Sequence, residues 1–252
     1  MTKIIMNGCN GRMGQFIVKT VAETDDCEIV CGIDINDSIA NDFPVYKSLS
    51  EFDGKADVLI DFSHPSTLSS VLEYAKSTNT PAIICTTGLS AEQKADLGAA
   101  SKEVAIFFSA NMSLGVNVII DLAKKATKVL EDNFDIEIIE KHHNQKLDAP
   151  SGTALAIADA ISETLTNEAE YVYDRHSVRK KRDKNEIGIH SMRGGTIVGE
   201  HSVIFAGKDE VIEINHIATS REVFATGAVK AAKFLAGKPA GFYDMNDLIS
   251  EK

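Results

Sequence analysis

The first fourteen residues constrain the fold most. Lys3-Ile4-Ile5-Met6 is a short apolar run that breaks at Asn7-Gly8-Cys9-Asn10-Gly11-Arg12-Met13-Gly14, after which Phe16, Ile17, Thr20 and Val21 recur at helical spacing. Strand, glycine turn and helix in that order predict the opening of a βαβ unit. Glu28-Ile29-Val30-Cys31-Gly32-Ile33 is a second strand ending at Asp34, twenty residues after Gly14. In such a unit the helix start can hold a pyrophosphate, and an acid after the second strand can accept ribose hydroxyls. The candidate dinucleotide contacts are therefore Gly8, Cys9, Asn10, Gly11, Arg12, Met13 and Asp34. Asn10 stands where G-x-G-x-x-G expects a glycine, so the context carries this reading more than the motif does.

The same alternation continues. Residues 35 to 56 are turn-rich, with a short strand expected near Val45, and Ala56 to Asp61 is a stronger strand. Phe62-Ser63-His64-Pro65 then leads into a helix through Tyr74, with His64 read as a loop or capping residue. Pro81 to Cys85 is the next strand, followed by Thr86-Thr87-Gly88 and a capping box at Ser90 and Gln93. Val104 to Phe108 ends in Ser109-Ala110-Asn111-Met112. Repeated strand, turn and helix predict a parallel sheet that binds its ligand at the carboxyl strand ends, which places both of these loops beside a nicotinamide.

Composition narrows the classes. At 252 residues and 44% hydrophobic, the chain can bury one large core or two ordinary ones. A net charge of -11 argues against nonspecific binding to nucleic acid or an anionic membrane. The chain shows no signal peptide and no apolar run long enough to span a bilayer. Cys9, Cys27, Cys31 and Cys85 lack a metal-type spacing and suit reduced thiols in a cytoplasmic protein.

The second half is organised around Glu140-Lys141-His142-His143-Asn144-Gln145-Lys146-Leu147-Asp148-Ala149-Pro150-Ser151-Gly152-Thr153-Ala154. Upstream, Phe134, Ile136 and Ile138 alternate, predicting a strand that delivers His142 and His143 to a sheet edge. Downstream, Ala154, Leu155, Ala158, Ile161 and Leu165 predict a helix with Ser151 as its N-cap, whose first amide groups form an anion site. His142 and Lys146 are four apart, so a proton donor and a cation can face one anionic substrate.

The run Glu-x-His-His-x-x-Lys-x-Asp-Ala-Pro-Ser-Gly-Thr-Ala resembles the signature of the dihydrodipicolinate reductase family, and the resemblance covers nearly the whole chain. It implies reduction of 4-hydroxy-tetrahydrodipicolinate by NAD(P)H with loss of water, in the diaminopimelate route to lysine. His142 would donate the proton with Lys146 assisting and holding a carboxylate, His143 would touch substrate, and Gly152 with Thr153 would bind a carboxylate. The loops at Cys85, Thr86 and Thr87 and at Ser109, Ala110, Asn111 and Met112 would contact the cofactor, although Cys85 replaces the first glycine of the family's usual Gly-Thr-Thr-Gly. The expected fold is α/β, with a Rossmann-like parallel-sheet nucleotide domain of residues 1–113 and 222–252. A smaller α+β substrate-binding and oligomerisation domain is expected at 114–221, assembled into a homotetramer.

From Gly115 a helix is expected to about Leu130. Arg175, Arg179, Lys180, Lys181, Arg182 and Lys184 read as a solvated loop in preference to a nucleic-acid patch. Ile187 to His190, Thr196 to Phe205 and Glu210 to Ala218 read as strands, with Arg193 to Thr196 and Gly199 to His201 at turns. Arg193 either faces the anionic site or is a solvated turn residue. His190, His201 and His216 are spaced too irregularly for a metal site, and no metal is expected. The last helix is expected from Arg221 to Leu235.

Asp34 favours the free 2′-hydroxyl of NADH, and no cation follows it directly. Asp37 would repel a phosphate unless Arg12 or Lys47 folds over the adenosine end, so both NADH and NADPH are expected, with NADH favoured. The competing readings are another two-domain NAD(P)-dependent amino-acid dehydrogenase using a cysteine nucleophile, and a nonenzymatic dinucleotide sensor.

Overall fold

The computed structural model describes residues 1–109 and 111–251, so the contact expected at Ala110 lies outside the described residues. The chain divides into two compact units, Met1–Leu114 with Arg221–Lys252, and Gly115–Ser220. In chain order the elements are β1 (Thr2–Asn7), α1 (Arg12–Ala22), β2 (Cys27–Ile33), β3 (Val45–Tyr46), β4 (Val58–Asp61), α2 (Leu68–Thr78), β5 (Ala82–Ile84), α3 (Ala91–Ala100) and β6 (Ala105–Phe108). There follow α4 (Leu114–Leu130), β7 (Asp135–His142), α5 (Gly152–Ser162), β8 (Glu170–Val172), β9 (Glu186–Arg193), β10 (Gly199–Ala206) and β11 (Val211–Ala218). The chain then closes with α6 (Glu222–Leu235), β12 (Gly241–Tyr243) and α7 (Met245–Ser250).

The first unit is a seven-stranded parallel sheet in the order β12-β6-β5-β4-β1-β2-β3. Its central strands are largely apolar because both faces are covered. Along β1, Ile4 and Met6 join Ile17 of α1 and Ala228 and Leu235 of α6, while Ile5 joins Leu59, Val71 and Ile84 on the opposite side. The strand order reverses between β1 and β4, which opens a crevice at their carboxyl ends. The capping box at α3 forms as read: Gln93 N donates to Ser90 Oγ at 3.1 Å and Ser90 N to Gln93 Oε1 at 3.0 Å.

The second unit is a five-stranded mixed sheet in the order β11-β10-β7-β9-β8. One face packs Ile136 and Ile138 of β7, Ile187 and Ile189 of β9 and Val203 and Phe205 of β10 against Ile119 and Ala123 of α4 and Ile157 and Ile161 of α5. The sheet edge expected beneath His142 is a correction: β7 is the middle strand, and His142 ends it between β10 and β9. Two turns are also replaced by strand. Arg193 pairs with His142 at the end of β9, and Gly199, Glu200 and His201 begin β10, because pairing to β7 prolongs both neighbours.

The basic segment is not simply solvated either. Arg175 donates to Glu186 Oε2 and Glu137 Oε1, both at 2.6 Å, and Arg182 reaches Glu137, Asp135 and the Ile136 carbonyl. These arginines neutralise the acids of β7 and β9, including the buried Glu186.

Candidate active site

Two clusters of expected site residues form, one in each unit. In the first unit a cavity of about 680 Å³ opens at the carboxyl strand ends, lined among others by Gly8, Gly11, Asp34, Lys47, His64 and Tyr74. Gly8 holds φ +82°, and a Cβ there would stand 2.6 Å from the Phe62 carbonyl oxygen. At Gly14 a Cβ would meet the Gly8 oxygen at 2.1 Å, so helix and turn could not approach with any larger residue. Gly11 caps α1 without a side-chain hydrogen bond, and the first turn carries no acid. That helix end can accept an anion.

Asn10 shows how the departing motif is accommodated. Its side-chain oxygen accepts from Asn41 Nδ2 at 2.9 Å, and its amide donates to the Asn36 carbonyl, which turns the side chain into the neighbouring loop. Its backbone N–H donates to Asp34 Oδ2 at 2.9 Å, while Asn36 N donates to Asp34 Oδ1 at 2.8 Å. Asp34 is thus fixed at the rim of the cavity. Lys47 bonds Asp37 Oδ2 at 2.8 Å and the Ile35 carbonyl at 2.9 Å, and this contact lowers the Asp37 pKa.

Several of the residues expected to contact a dinucleotide have buried side chains. Cys9 and Cys85 are buried, as is Thr86, whose hydroxyl donates to Asp61 Oδ2 at 2.6 Å. Thr87, Arg12 and Met13 are less enclosed, and Ser109 binds the Asn111 backbone. His64 accepts from Ser66 N at 3.2 Å and caps the turn at Pro65–Thr67, consistent with its capping reading. Burial pushes the Cys9 thiol up to about 11 and Cys31 to about 12, and Cys85 well above its ordinary value. A reaction through a cysteine thiolate has no suitable group among these.

Asp61 is the residue sequence reasoning missed in this unit. It ends β4 and accepts from Asn7 Nδ2 at 2.7 Å, from Ser63 and from Thr86, so one buried carboxylate ties together the loops after β1, β4 and β5. Burial raises its pKa against those hydrogen bonds. The available signal was an acid closing the otherwise apolar run Val58-Leu59-Ile60.

In the second unit the alternation along β7 carries Ile136, Ile138, Glu140 and His142 on the same buried face. Register places His201 opposite Glu140 and Arg193 opposite His142, so the apolar face ends in a polar cluster. Glu140, fully buried, accepts from Arg193 Nη2 at 2.6 Å and Ser151 N at 3.0 Å through Oε1, and from Arg193 Nη1 at 2.8 Å through Oε2. Oε2 also lies 2.6 Å from His142 Nδ1. Burial alone would raise the Glu140 pKa, but the bonds from Arg193, His142, Ser191 and Ser151 hold it at about 2.

Burial lowers the His142 pKa, Glu140 opposes that shift, and Lys146 and Arg193 add to it. His142 is therefore a weaker base than a free imidazole. His201 packs edge-on to it, with ring centroids 5.2 Å apart, and its Nε2 lies 3.1 Å from Ser151 Oγ. Burial, then the charge of His142, lowers the His201 pKa to about 4. Lys146 pairs with Asp148 Oδ1 at 2.8 Å and remains partly exposed. Ser151 caps α5 by accepting from Ala154 N at 3.1 Å, and Gly152 and Thr153 begin the helix beside it, with open space beyond Gly152. His143 lies half-buried after the strand.

Arg193 was a candidate for direct contact with an anion. Its terminal nitrogens donate to Glu140, to the Met192 carbonyl and to the Asp148 carbonyl at 2.7 Å. Among the described residues no group of three or more His, Cys, Asp or Glu side chains is gathered to hold a metal. No helix among them is long and apolar enough to cross a membrane.

The parallel sheet, its glycine turn and its switch-point cavity define an α/β protein with a Rossmann-type NAD(P)-binding unit, followed by a mixed-sheet unit carrying the histidine cluster. The family described as dihydrodipicolinate reductase matches with its N-terminal part over residues 2–112 and its C-terminal part over 115–249, and the chain belongs to that family. It is 55% identical over 251 residues to a 4-hydroxy-tetrahydrodipicolinate reductase of Caldanaerobacter subterraneus subsp. tengcongensis, covering 100% of this chain and 99% of the relative. It is 49% identical over 252 residues to the enzyme of that name from Clostridium novyi, covering all of both chains. A dipicolinate-bound dihydrodipicolinate reductase from Paenisporosarcina sp. TG-14 has the same fold, with a TM-score of 0.83 at 24% identity over 98% of this chain and 99% of that one.

Proposed function

We propose that this protein reduces 4-hydroxy-tetrahydrodipicolinate to tetrahydrodipicolinate with NADH or NADPH, releasing water, in the diaminopimelate route to lysine. The observation that carries this reading is the Glu140–His142 pair ending β7 beside the start of α5, in a chain whose relatives bear that enzyme name along their full length. Gly8, Gly11 and Asp34 suit a dinucleotide: the turn admits a close backbone, the helix start is uncapped by any side chain, and the carboxylate is fixed at the cavity rim. When bound, the reduced nicotinamide supplies the hydride.

The remaining work falls to residues of this chain. The substrate's two carboxylates call for two anion grips, and Lys146 with the amides of Gly152 and Thr153 at the start of α5 supplies them. His143 adds a polar contact. His142 delivers from Nε2 the proton that completes the reduction. Its lowered pKa makes it a poor reservoir at rest, but a dianion beside it favours the imidazolium, so substrate itself loads the acid. The hydroxyl leaves with a neighbouring ring hydrogen as water, and hydride from the reduced cofactor and one proton then add across the conjugated double bond so formed, which balances the reaction.

Both cofactors are used, with NADH favoured, because Asp34 offers an acceptor to the 2′-hydroxyl while Lys47 offsets Asp37. The polar and apolar face of the second sheet, where Val211 is 64% and Ile217 62% exposed, supports a homotetramer built through it. The protein is read as a cytoplasmic, small-molecule enzyme without a nucleic-acid or membrane partner.

The deciding assay is oxidation of NADH with enzymatically generated substrate, run beside simple aldehydes and a blank. Turnover only with the dicarboxylate is expected. Equal rates with aldehydes, or none with any substrate, would reject the assignment. A light-scattering mass near one chain at working concentration would reject the tetramer.

A further inference from the structure

Glu140 occupies a position in β7 that its strand neighbours Ile136 and Ile138 would fill with an apolar side chain. A carboxylate there is costly unless every oxygen is paired. Here both oxygens are paired: Oε1 by Arg193 Nη2 and Ser151 N, Oε2 by Arg193 Nη1 and His142 Nδ1, with the Ser191 hydroxyl adding a further bond to the carboxylate. Arginine and a backbone amide can only donate. The bidentate guanidinium keeps the carboxylate ionised, so it has no proton to give to the imidazole. The His142 contact must then be Nδ1–H.

We infer that Glu140 is a positioning residue that fixes the His142 ring with its proton on Nδ1 and leaves Nε2 as the nitrogen that exchanges the catalytic proton, and that Arg193 acts through Glu140 to hold this arrangement. The inference rests on the reading of His142 as the proton-transfer group. Arg193 also donates to the Asp148 carbonyl, so the fork that clamps Glu140 fixes the loop between Lys146 and Ser151. One guanidinium thus sets the ring and its anion-binding neighbours in register.

The charged and titratable groups facing His142 are Glu140 on its own strand, Arg193 from β9, Lys146 from the following loop and His201 from β10. Glu140 is the only anion among these four. Removing its charge leaves the imidazolium beside two cations and a second ring, so the group should become a weaker base.

The test is ¹⁵N NMR of His142 in the intact protein, above its titration range and without substrate, paired with kinetics of Glu140→Gln. The wild-type ring should be the Nδ1–H tautomer. In Glu140→Gln the amide oxygen stays with Arg193 and Ser151 and the NH₂ faces Nδ1, which moves the ring proton to Nε2. We expect kcat to fall by at least tenfold and its descending pH limb to move to lower pH, with KM and reduced-cofactor affinity within about twofold, since general acid catalysis is worth roughly 10²- to 10⁴-fold. Glu140→Asp should recover part of the pH profile.

An Nε2–H tautomer in the wild-type protein overturns the inference, as does wild-type turnover in Glu140→Gln. If Glu140→Gln does not fold, the wild-type spectrum and Arg193→Lys, which keeps the charge but loses the fork, give the same decision: a fall in kcat, whatever the change in KM from the loosened Asp148 loop, supports it, and unchanged kcat rejects it. The tautomer is read without turnover. A failure of the reductase assignment therefore leaves the spectrum unchanged, whereas a failure of this inference leaves the assay positive.

Discussion

Gly199 lies directly against His142: a Cβ built on it would stand 3.1 Å from Nε2. That spacing is tighter than ordinary contact, and the nitrogen it would crowd is the one through which the proton is proposed to pass. Gly199→Ala should lower kcat severalfold while leaving dinucleotide affinity unchanged, because the ring must give by a few tenths of an ångström, and a full displacement of a reacting group by about 1 Å costs on the order of 10²-fold. Steady-state kinetics with a cofactor titration will check it. Wild-type turnover would mean that Nε2 is not the working atom or that β10 yields freely.

His142→Gln should reduce turnover by about 10²- to 10⁴-fold with reduced-cofactor affinity nearly unchanged. The pH behaviour is signed. The acid must be protonated, and its pKa in the free protein is lowered by burial, so kcat/KM should decline with rising pH from below the ordinary histidine range. The bound dicarboxylate raises that pKa, so the decline in kcat should lie at higher pH than the decline in kcat/KM. Coincident limbs would remove substrate loading of His142. Lys146→Ala should damage both turnover and substrate binding, whereas Thr153→Val should mainly raise the apparent substrate constant.

How far the sequence carried the fold depends on local pattern. Period-two and helical spacing locate most elements, since Ile4 to Met6, Val58 to Asp61 and Ala91 to Ala100 are each specified by neighbours in the chain. The polar cluster was half legible. Alternation through Phe134, Ile136 and Ile138 already implies that Glu140 and His142 share a face. What it could not supply is register between strands, which brings His201 opposite Glu140 and Arg193 opposite His142. Arg193 in a glycine-rich stretch looked like a turn residue because its partner is 53 positions away. Asp61 was obscure for the same reason, as two of its partners, Asn7 and Thr86, come from other strands.

His201 makes stability depend on pH. Its folded pKa of about 4 lies below its unfolded value, so the unfolded chain binds more protons between these two limits and stability falls as pH drops through that window. Between pH 7 and 5 the loss is on the order of 2 kcal/mol from this group. His201→Gln should lower stability at pH 7, through the altered bond to Ser151, yet show a shallower decline toward pH 5. Urea unfolding at the two pH values measures both, and parallel slopes for the two proteins would clear His201 of the effect.

Asp61→Asn retains size but replaces an acceptor with a donor among Asn7, Ser63 and Thr86. Leaving one of these buried contacts unsatisfied costs about 1–3 kcal/mol. The three loops end strands at the cavity, so a lower Tm should be accompanied by weaker dinucleotide binding. Thermal unfolding with and without NADH separates the two. A fall in Tm with unchanged cofactor affinity would restrict Asp61 to folding.

The cofactor preference turns on Lys47, which lines the cavity and pairs with Asp37 at 2.8 Å. NADPH carries a phosphate where NADH has a hydroxyl, and Asp34 cannot accept a hydrogen bond from it. The nearest compensation is a cation, and Lys47 already lowers the Asp37 pKa by binding its carboxylate. Removing the lysine leaves the charges of Asp34 and Asp37 without their neighbouring cation. Lys47→Ala should therefore reduce kcat/KM for NADPH more than for NADH, and the wild-type ratio should favour NADH. Raising ionic strength should narrow the difference, because exposed charges are screened over about 8–10 Å in ordinary buffers. Measuring both specificity constants at two salt concentrations decides the point. An equal loss for both cofactors would show that Lys47 holds the loop and not the phosphate, and a clear NADPH preference in the wild-type protein would assign that role to a different cation, with Arg12 at the start of α1 the first to substitute.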